Sequence, residues 1–285
     1  MAYLSLNIKG ERWLAYPKGM CFPVEFKTCY PMRGRGIVSK FLYIANKIGL
    51  DRLFLRKENN HAQLAFPIIE NVAFFWPAAS RSTTRFYGYR VVGGQIKSYL
   101  KFATTEQEAK VLKNEFENTK KALMISDRSF EVPKPINFSD EIANGFAMAE
   151  YEALPLNSIN VSLNEEWLRK VDNARMEISN SGLSHGDFMW HNFKAAGNKL
   201  WILDWEELVE INETRPELTD EISFWTAMMH YNKGMSLNFV CTEFKQKYFN
   251  DGNLKNKAIA ALNSMSSRGI AMGKILLKEL EGDCK

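Results

Sequence analysis

Three polar side chains in the second half of the chain are spaced in a way that suits chemistry. The chain reads His185-Gly186-Asp187, with Asn192 five residues after the aspartate. Asp204 comes twelve residues after Asn192, at the end of the apolar run LWIL. A carboxylate can orient a hydroxyl and accept its proton, and amide and carboxylate oxygens are ligands that magnesium prefers. Phosphoryl transfer needs these parts and little covalent work from the protein, so the pattern predicts a phosphoryl-transfer site.

The segment from Leu183 to Glu206 resembles the catalytic signature of the aminoglycoside phosphotransferase and choline kinase family, in which HGDxxxxN precedes a strand ending in DWE or DYE. It is similar, more distantly, to the eukaryotic-type protein kinases. The resemblance implies that Asp187 is the catalytic base and that His185 braces its loop. It implies that Asn192 and Asp204 are magnesium ligands, and that Asp220 starts a helix and supports the loop.

The elements upstream of this segment should form an antiparallel sheet and a helix. Three strands are predicted at NVAFFWP, FYGYRVV and QIKSYLKFA, the last two joined by a Gly93-Gly94 turn. A helix is predicted over residues 104–123, with Thr104 or Thr105 as its N-cap. A further strand is expected around residues 146–151 and a helix over 165–178.

The same resemblance implies a lysine on the third strand and a glutamate partner on the next helix. Strand alternation places Lys101 on one face with Tyr99, and the lysine would reach the α- and β-phosphates. Glu115, at the border of the apolar stripe of the helix, fits best as its partner. Glu108 is the alternative, and an exposed surface role for either charge remains open.

The nucleotide-binding residues are expected in three places. A hydroxyl-rich loop between the first two strands would hold phosphates, although it has no GxGxxG: Ser80, Ser82, Thr83 and Thr84. Tyr99 would line the adenine pocket, with ordinary cross-strand packing as the alternative. The segment FAMAEYEALP resembles the linker between kinase lobes, and its backbone would bind the purine edge at Met148, Glu150 and Tyr151.

Composition limits the partners. The formal net charge is only +4 in 285 residues and the basic residues are spread among acidic ones, so nucleic acid is not expected as a partner. No signal-peptide stretch or apolar run of about 20 residues is present, which makes the cytoplasm the default. Four dispersed cysteines fit reduced thiols. Acidic and basic residues alternate near the C-terminus, which gives no support for a polycationic drug as acceptor.

The first seventy residues carry one further pattern. Residues 36–50 place Ile37, Phe41, Ile44 and Ile48 at helical intervals, which predicts an amphipathic helix packed on the N-terminal lobe. The basic residues around it favour an anionic acceptor or peripheral contact with a membrane surface.

We therefore expect an α+β, bilobal protein-kinase-like fold. The predicted domains are an N-terminal extension (1–70), a nucleotide-binding lobe (71–152) and a catalytic and acceptor-binding lobe (153–285). The predicted function is a small-molecule kinase that uses Mg²⁺ and ATP or GTP, with a sugar, amino alcohol or cell-surface glycan precursor as acceptor. The oligomeric state is left open.

Two alternatives compete with this function. One is a pseudokinase or nucleotide-binding regulator, against which intact Asp187, Asn192 and Asp204 count. The other is a metal-dependent phosphohydrolase, whose ligands would be His185, Asp187, His191 and Asp204. The hydrolase hypothesis leaves Lys101 and Glu115 without a role.

Overall fold

The structure is a computed structural model that describes residues 3–8, 11–22, 36–58, 67, 69–75, 85–142, 145–155, 158–162 and 164–282. It contains two compact units. The first is formed by Met1–Glu117 with Pro133–Leu156, and the second by Asn118–Val132 with Asn157–Lys285.

Fourteen strands and eight α-helices are described. The strands are β1 (Tyr3–Ile8), β2 (Glu11–Pro17), β3 (Arg56–Glu58), β4 (Val72–Phe75), β5 (Arg85–Val92), β6 (Gln95–Ala103), β7 (Phe130–Glu131), β8 (Pro135–Ile142), β9 (Phe146–Glu152), β10 (Ile159–Asn160), β11 (Leu183–Ser184), β12 (Phe193–Ala196), β13 (Lys199–Ile202) and β14 (Val209–Glu210). The helices are α1 (Gly36–Lys47), α2 (Asp51–Phe54), α3 (Glu106–Leu123), α4 (Glu165–Asn180), α5 (Thr219–Ala227), α6 (Leu237–Tyr248), α7 (Gly252–Ser267) and α8 (Ala271–Gly282).

The first unit is built on one antiparallel sheet of eight strands in the order β3-β1-β2-β4-β5-β6-β9-β8. The three consecutive strands predicted from the sequence are β4, β5 and β6, and their antiparallel pairing is confirmed. On β6 the alternation is as expected, since Ser98, Leu100 and Phe102 are buried on one face. Phe102 stacks there on Phe86, with 4.7 Å between the ring centroids.

Helix α3 covers the other face of this sheet. Thr105 Oγ1 accepts from the backbone N–H of Glu108 (3.3 Å), so the predicted cap acts at the start of the helix. Leu112 and Phe116 lie in a buried cluster with Ala149 and other residues of β9. This packing places the glutamate side of the helix against the strand that carries Lys101.

The domain division differs from the expected one in two respects. Residue 70 is not a boundary, because β2 pairs with β4 (Leu14↔Phe75) and the first three strands continue the same sheet. Residues 118–132 belong to the second unit rather than to the nucleotide-binding lobe. The reason is that β7 pairs with β13 (Leu200↔Phe130), which carries this segment into the second core.

Helix α1 does not pack through its predicted apolar stripe. The helix packs through Leu42 and Ala45, both 3% exposed, whereas Phe41, Ile44 and Ile48 of the stripe are 49%, 56% and 62% exposed. Periodicity identifies an apolar stripe without saying which side the rest of the chain covers. The predicted packing face was therefore wrong.

The second unit combines short strands with helices α4 to α8. Its main sheet has the order β10-β12-β13-β7, and β11 pairs with β14. One buried cluster lies around Phe188, Phe193 and Trp205, and another among the C-terminal helices around Phe244 and Leu262. In the part of the chain that the structure describes, no helix is both long and apolar enough to cross a bilayer.

Candidate active site

The turn before Asp187 is fixed by Asp220, in the first turn of α5. Asp220 Oδ2 accepts from the backbone N–H of His185 (2.6 Å) and from Ser184 Oγ (3.1 Å), and Oδ1 accepts from the backbone N–H of Gly186 (2.9 Å). Asp220 is 5% exposed, so these three bonds form in the interior, where bonds to a charged acceptor are strong. Asp220 therefore supports this loop, as the family resemblance implied.

Gly186 cannot be replaced without moving its neighbours. Its φ of +85° is a left-handed conformation, and a Cβ there would collide with Arg215 Nη1 and lie 2.5 Å from the carbonyl oxygen of Glu207. Arg215 is held by Glu207, with 2.8 Å between Nη2 and Oε2. Arg268 Nη1 donates to the carbonyl oxygen of Gly186 (3.1 Å). Two guanidinium groups thus pack behind the turn.

His185 is fully buried, so it supports the loop structurally and does not act as a solvent-exposed acid. Its Nε2 lies 3.1 Å from the carbonyl oxygen of Leu203, and because a carbonyl only accepts, Nε2 carries the proton. The ring packs 4.5 Å from that of Trp205, centroid to centroid. Burial lowers the pKa of His185, so the neutral form persists. It links the turn before Asp187 to the strand end before Asp204.

Asp187 carries a partly exposed carboxylate, with 41% of its side chain accessible. Asn192 Nδ2 donates to its Oδ2 (3.0 Å) and to its backbone carbonyl (2.9 Å), and His191 Nε2 lies 3.5 Å from the same Oδ2. Burial acts to raise the pKa of Asp187, but its contacts with His191 and Asn192 outweigh it and hold the pKa below the ordinary value. The group is therefore an oriented carboxylate at neutral pH.

Asn192 and Asp204 meet at one end of the β12–β13 hairpin. Phe193 pairs with Ile202, and the next residue, Leu203, donates its N–H to the carbonyl oxygen of Asn192 (2.9 Å). Asp204 follows with φ +65° and ψ +63°, a left-handed conformation that is uncommon outside glycine. The hairpin thus converts a separation of twelve residues into proximity.

Asn118 fixes the chain after Asp204. Its Nδ2 donates to the carbonyl oxygens of Trp205 (3.2 Å) and Leu208 (3.1 Å). Trp205 is 1% exposed and donates from Nε1 to the carbonyl oxygen of Ile202 (3.1 Å). The side chains of Asn118 and Trp205 therefore both hold the turn around Asp204.

The donor set of Asn192 and Asp204 fits magnesium. Both bonds of the Asn192 amide nitrogen go to Asp187, which leaves Oδ1 as the atom able to coordinate a cation. Asp204 adds a carboxylate, and hard oxygen ligands of this kind suit Mg²⁺.

In the first unit, Lys101 forms the predicted ion pair with Glu115. Lys101 Nζ lies 2.6 Å from Glu115 Oε1, and the two side chains are 16% and 4% exposed. The alternative partner, Glu108, pairs instead with Arg85. The structure thus selects between the two glutamates, while the role of Lys101 toward phosphates stays a prediction.

The other residues expected to bind the nucleotide lie in different surroundings. Tyr99 is partly buried on the same face of β6 as Lys101, and its ring stacks on that of Tyr87 at 5.8 Å. Met148 and Tyr151 are 6% and 4% exposed within β9, which pairs with β6 on one side and β8 on the other. Their backbone lies between two ladders of the sheet, and its binding of a purine edge stays a prediction.

The side chain of Glu150 has structural partners within the sheet, and a role of its backbone toward a nucleotide stays a prediction. Arg90 donates to both of its carboxylate oxygens, at 2.7 and 2.9 Å, and Ser98 Oγ donates to Oε1. Glu150 is 7% exposed, so the contact ties β5, β6 and β9 together inside the sheet. The predicted phosphate loop (Ser80, Ser82, Thr83 and Thr84) lies outside the described residues.

Sequence reasoning missed Asn118, Arg215 and Arg268. Asn118 and Arg268 donate to backbone carbonyls 87 and 82 residues away along the chain, and Arg215 donates to the carbonyl oxygen of Glu207, eight residues away. Arg268 carries a further signal, because its Nε and Nη2 are buried and without a hydrogen-bond partner among the described residues. Burial and then the charge of Arg215 lower the pKa of Arg268. No local pattern in the sequence marks these residues.

The first unit has a sheet with an ion-paired helix, and the second unit is rich in helices and carries the Asp187 loop and the Asp204 hairpin. These features define a protein-kinase-like fold, the fold of phosphotransferases. Residues 84–219 match the family model of the RIO domain, which is of this protein-kinase-like type. No significantly similar sequence was found among curated proteins.

Several solved structures are similar to the chain. Amicoumacin kinase hAmiN in complex with AMP-PNP, Ca²⁺ and Ami has 11% identity and a TM-score of 0.46, with 83% of this chain and 93% of that chain covered. A thermostable mutant of aminoglycoside phosphotransferase APH(4)-Ia with ADP and hygromycin B has 8% identity and a TM-score of 0.45, covering 71% and 90%. WbdD has 15% identity and a TM-score of 0.43, and 69% of this chain spans only 48% of WbdD. At these identities and TM-scores, nothing about a substrate is transferred.

Proposed function

We propose that the protein is a small-molecule kinase that moves the γ-phosphate of ATP or GTP to a hydroxyl of its acceptor. Asp187 orients that hydroxyl and accepts its proton. Asn192 and Asp204 would hold magnesium, and Lys101, directed by Glu115, neutralises phosphate charge. Magnesium, when bound, offsets the negative charge that develops on the transferred group.

The observation that carries this proposal is the geometry around Asp187. In the described residues, the contacts of its carboxylate with Asn192 and His191 both end on Oδ2, so Oδ1 is left for the acceptor. The turn that carries Asp187 is anchored by Asp220 on its amide side and by Arg268 on its carbonyl side. A carboxylate held in this way reacts without the cost of orienting itself, which is the main contribution a protein makes to this chemistry.

The competing hypotheses explain less of the site. A metal-dependent phosphohydrolase would use His185 as a ligand, but this ring is fully buried and bonded to a backbone carbonyl. A pseudokinase would have no need for an intact donor set at Asp187, Asn192 and Asp204. The match to a RIO domain favours a second candidate, an atypical kinase with a protein as acceptor.

A thermal-shift titration tests nucleotide binding. Magnesium with ATP or GTP should raise the melting temperature in a saturable manner, and removal of magnesium with EDTA should reduce the response. Asp204→Asn should lose the magnesium dependence. Asp140→Asn, at a carboxylate that is 70% exposed on β8, is the matched control and should behave as the wild type. The absence of a response to any magnesium nucleotide would contradict the proposal.

Acceptor class needs a second experiment. Sugars, amino alcohols and glycan precursors are screened for nucleotide-dependent phosphorylation beside generic protein substrates, with Asp187→Asn as the background. Transfer to a small molecule supports the proposal. Transfer to protein alone would replace it by the atypical protein kinase.

A further inference from the structure

Large apolar side chains are exposed close together in the segment that contains α1 and α2. Five of the thirteen exposed large apolar side chains among the described residues lie within residues 41–53: Phe41 (49%), Ile44 (56%), Ile48 (62%), Leu50 (43%) and Leu53 (75%). Single exposed apolar residues are ordinary on a protein surface, whereas a contiguous group marks an interaction site.

The exposed face is a fixed property of the fold, because the opposite face of α1 is anchored. Asn46 Nδ2 donates to the carbonyl oxygen of Met20 (2.9 Å) and to Asp51 Oδ2 (2.8 Å). Tyr16 donates its hydroxyl to the same Asp51 oxygen (2.7 Å), and Phe22 donates its N–H to Asn46 Oδ1 (2.7 Å). Turning the stripe inward would break this buried network.

The charge around the stripe has one sign. Residues 36–57 contain five basic residues, Lys40, Lys47, Arg52, Arg56 and Lys57, and one acidic residue, Asp51. Asp51 is 5% exposed and bonded within the network just described, so it offers little negative charge to the surface. Lys40 and Lys47 occupy helix positions one turn before and one turn after Ile44, and Lys47 is exposed.

We propose that the exposed apolar face of α1, with the adjoining segment to Leu53, is a peripheral site for an anionic lipid bilayer. An interfacial helix inserts apolar side chains at the boundary of the acyl chains while basic residues at its flanks meet anionic headgroups. The combination of a large exposed apolar stripe with a local excess of positive charge fits that partner. The inference goes beyond the proposed function and does not depend on it.

Vesicle co-sedimentation of the full chain tests the proposal. The probes are phosphatidylcholine vesicles and vesicles that also contain about 30 mol % phosphatidylglycerol. We expect binding to the anionic vesicles only, weakened in about 0.5 M NaCl because salt screens the charges. The double variant Ile44→Glu/Ile48→Glu should lower the partition coefficient more than about tenfold, because two apolar side chains can no longer insert. Lys40→Gln/Lys47→Gln should lower it by roughly tenfold.

The matched control is Ile136→Glu/Ile159→Glu, at isoleucines that are 56% and 67% exposed on β8 and β10. Because all four isoleucines are exposed, neither double variant removes core packing, and circular dichroism should show unchanged folding. Equal loss of binding in both variants, or no binding by the wild type, would overturn the proposal. Self-association in sedimentation velocity that Ile44→Glu/Ile48→Glu abolishes, without vesicle binding, would overturn it in favour of a second copy of the chain.

Discussion

The two pieces of candidate machinery are held in different ways. In the second unit, the turn before Asp187 is fixed through its backbone, by Asp220 on the amides and Arg268 on a carbonyl. In the first unit, Lys101 and Glu115 fix each other through one ion pair between a strand and a helix. A side chain whose backbone is fixed by hydrogen bonds has few alternative positions, whereas one side chain of an ion pair can move when its partner is replaced. Substitutions in the two regions should therefore differ in size and in additivity.

The largest effect is expected for Asp187→Asn. The amide cannot accept the acceptor's proton, so turnover should fall about 10³-fold or more, while affinity for magnesium nucleotide stays within a few fold. Steady-state kinetics and calorimetric titration measure the two quantities, with Asp140→Asn as the control. An equal loss of nucleotide affinity would assign Asp187 to metal ligation instead.

Asp220→Ala should have the next largest effect. It destabilises the loop that carries Asp187 and does not remove a reacting group. Three donors would lose a buried acceptor, and we expect a loss of roughly 3 kcal/mol in the free energy of unfolding, measured by denaturant titration. The matched control is Asp251→Ala, an exposed cap of α7 whose Oδ1 accepts from the N–H of Leu254 (2.8 Å) and whose loss costs about 1 kcal/mol. Equal losses in the two variants would mean that Asp220 contributes no more stability than an exposed capping carboxylate.

The ion pair in the first unit should give a smaller and non-additive effect. Lys101→Ala should raise the Michaelis constant for ATP and lower turnover, together by about 10²-fold in kcat/KM, and Glu115→Ala should give a milder form of the same defect. The double variant should be little worse than Lys101→Ala, because the two residues act as a unit. Glu108→Ala, which removes the partner of Arg85, is the control. Fully additive losses would show that Lys101 and Glu115 act separately.

Glu150→Gln should have the smallest effect, confined to stability. Burial acts to raise the pKa of Glu150, but hydrogen bonds from Arg90 and Ser98 outweigh it and hold the pKa below the ordinary value. A carboxyl with a lowered folded-state pKa contributes stability above its unfolded pKa of about 4.3, and the contribution is lost as pH falls through the folded value. The variant should be less stable by about 1.5 kcal/mol at pH 7, and the difference should shrink in acid.

Thermal melts of wild type and Glu150→Gln across that pH range check this prediction. Nucleotide affinity should be unchanged, since the side chain lies in the sheet. A weaker affinity in Glu150→Gln at unchanged stability would return Glu150 to the nucleotide site.

Four of the eight strands of the large sheet, β4, β5, β6 and β9, and the grouping of Asp187, Asn192 and Asp204 followed from local pattern. Alternation on β6 put Lys101 and Tyr99 on one face, and a loop and a hairpin were enough to bring Asp187, Asn192 and Asp204 together. These groupings depend on short stretches of chain with fixed geometry, so the residue types and their spacing determine them. The sequence left Glu115 and Glu108 as alternative partners of Lys101. The choice between them depended on the contact of α3 with β6.

What only the tertiary structure decided concerns contacts between distant segments. Asn118 and Arg268 reach the site from 87 and 82 residues away along the chain, and no spacing predicts such a contact. The sequence determined that α1 has an apolar stripe, but Leu42 and Ala45 took the buried side because Asn46 is bonded into the network around Asp51. Burial depends on both of the surfaces that meet. The sequence of a helix can therefore give it an apolar stripe, while the neighbouring elements determine which of its faces is buried.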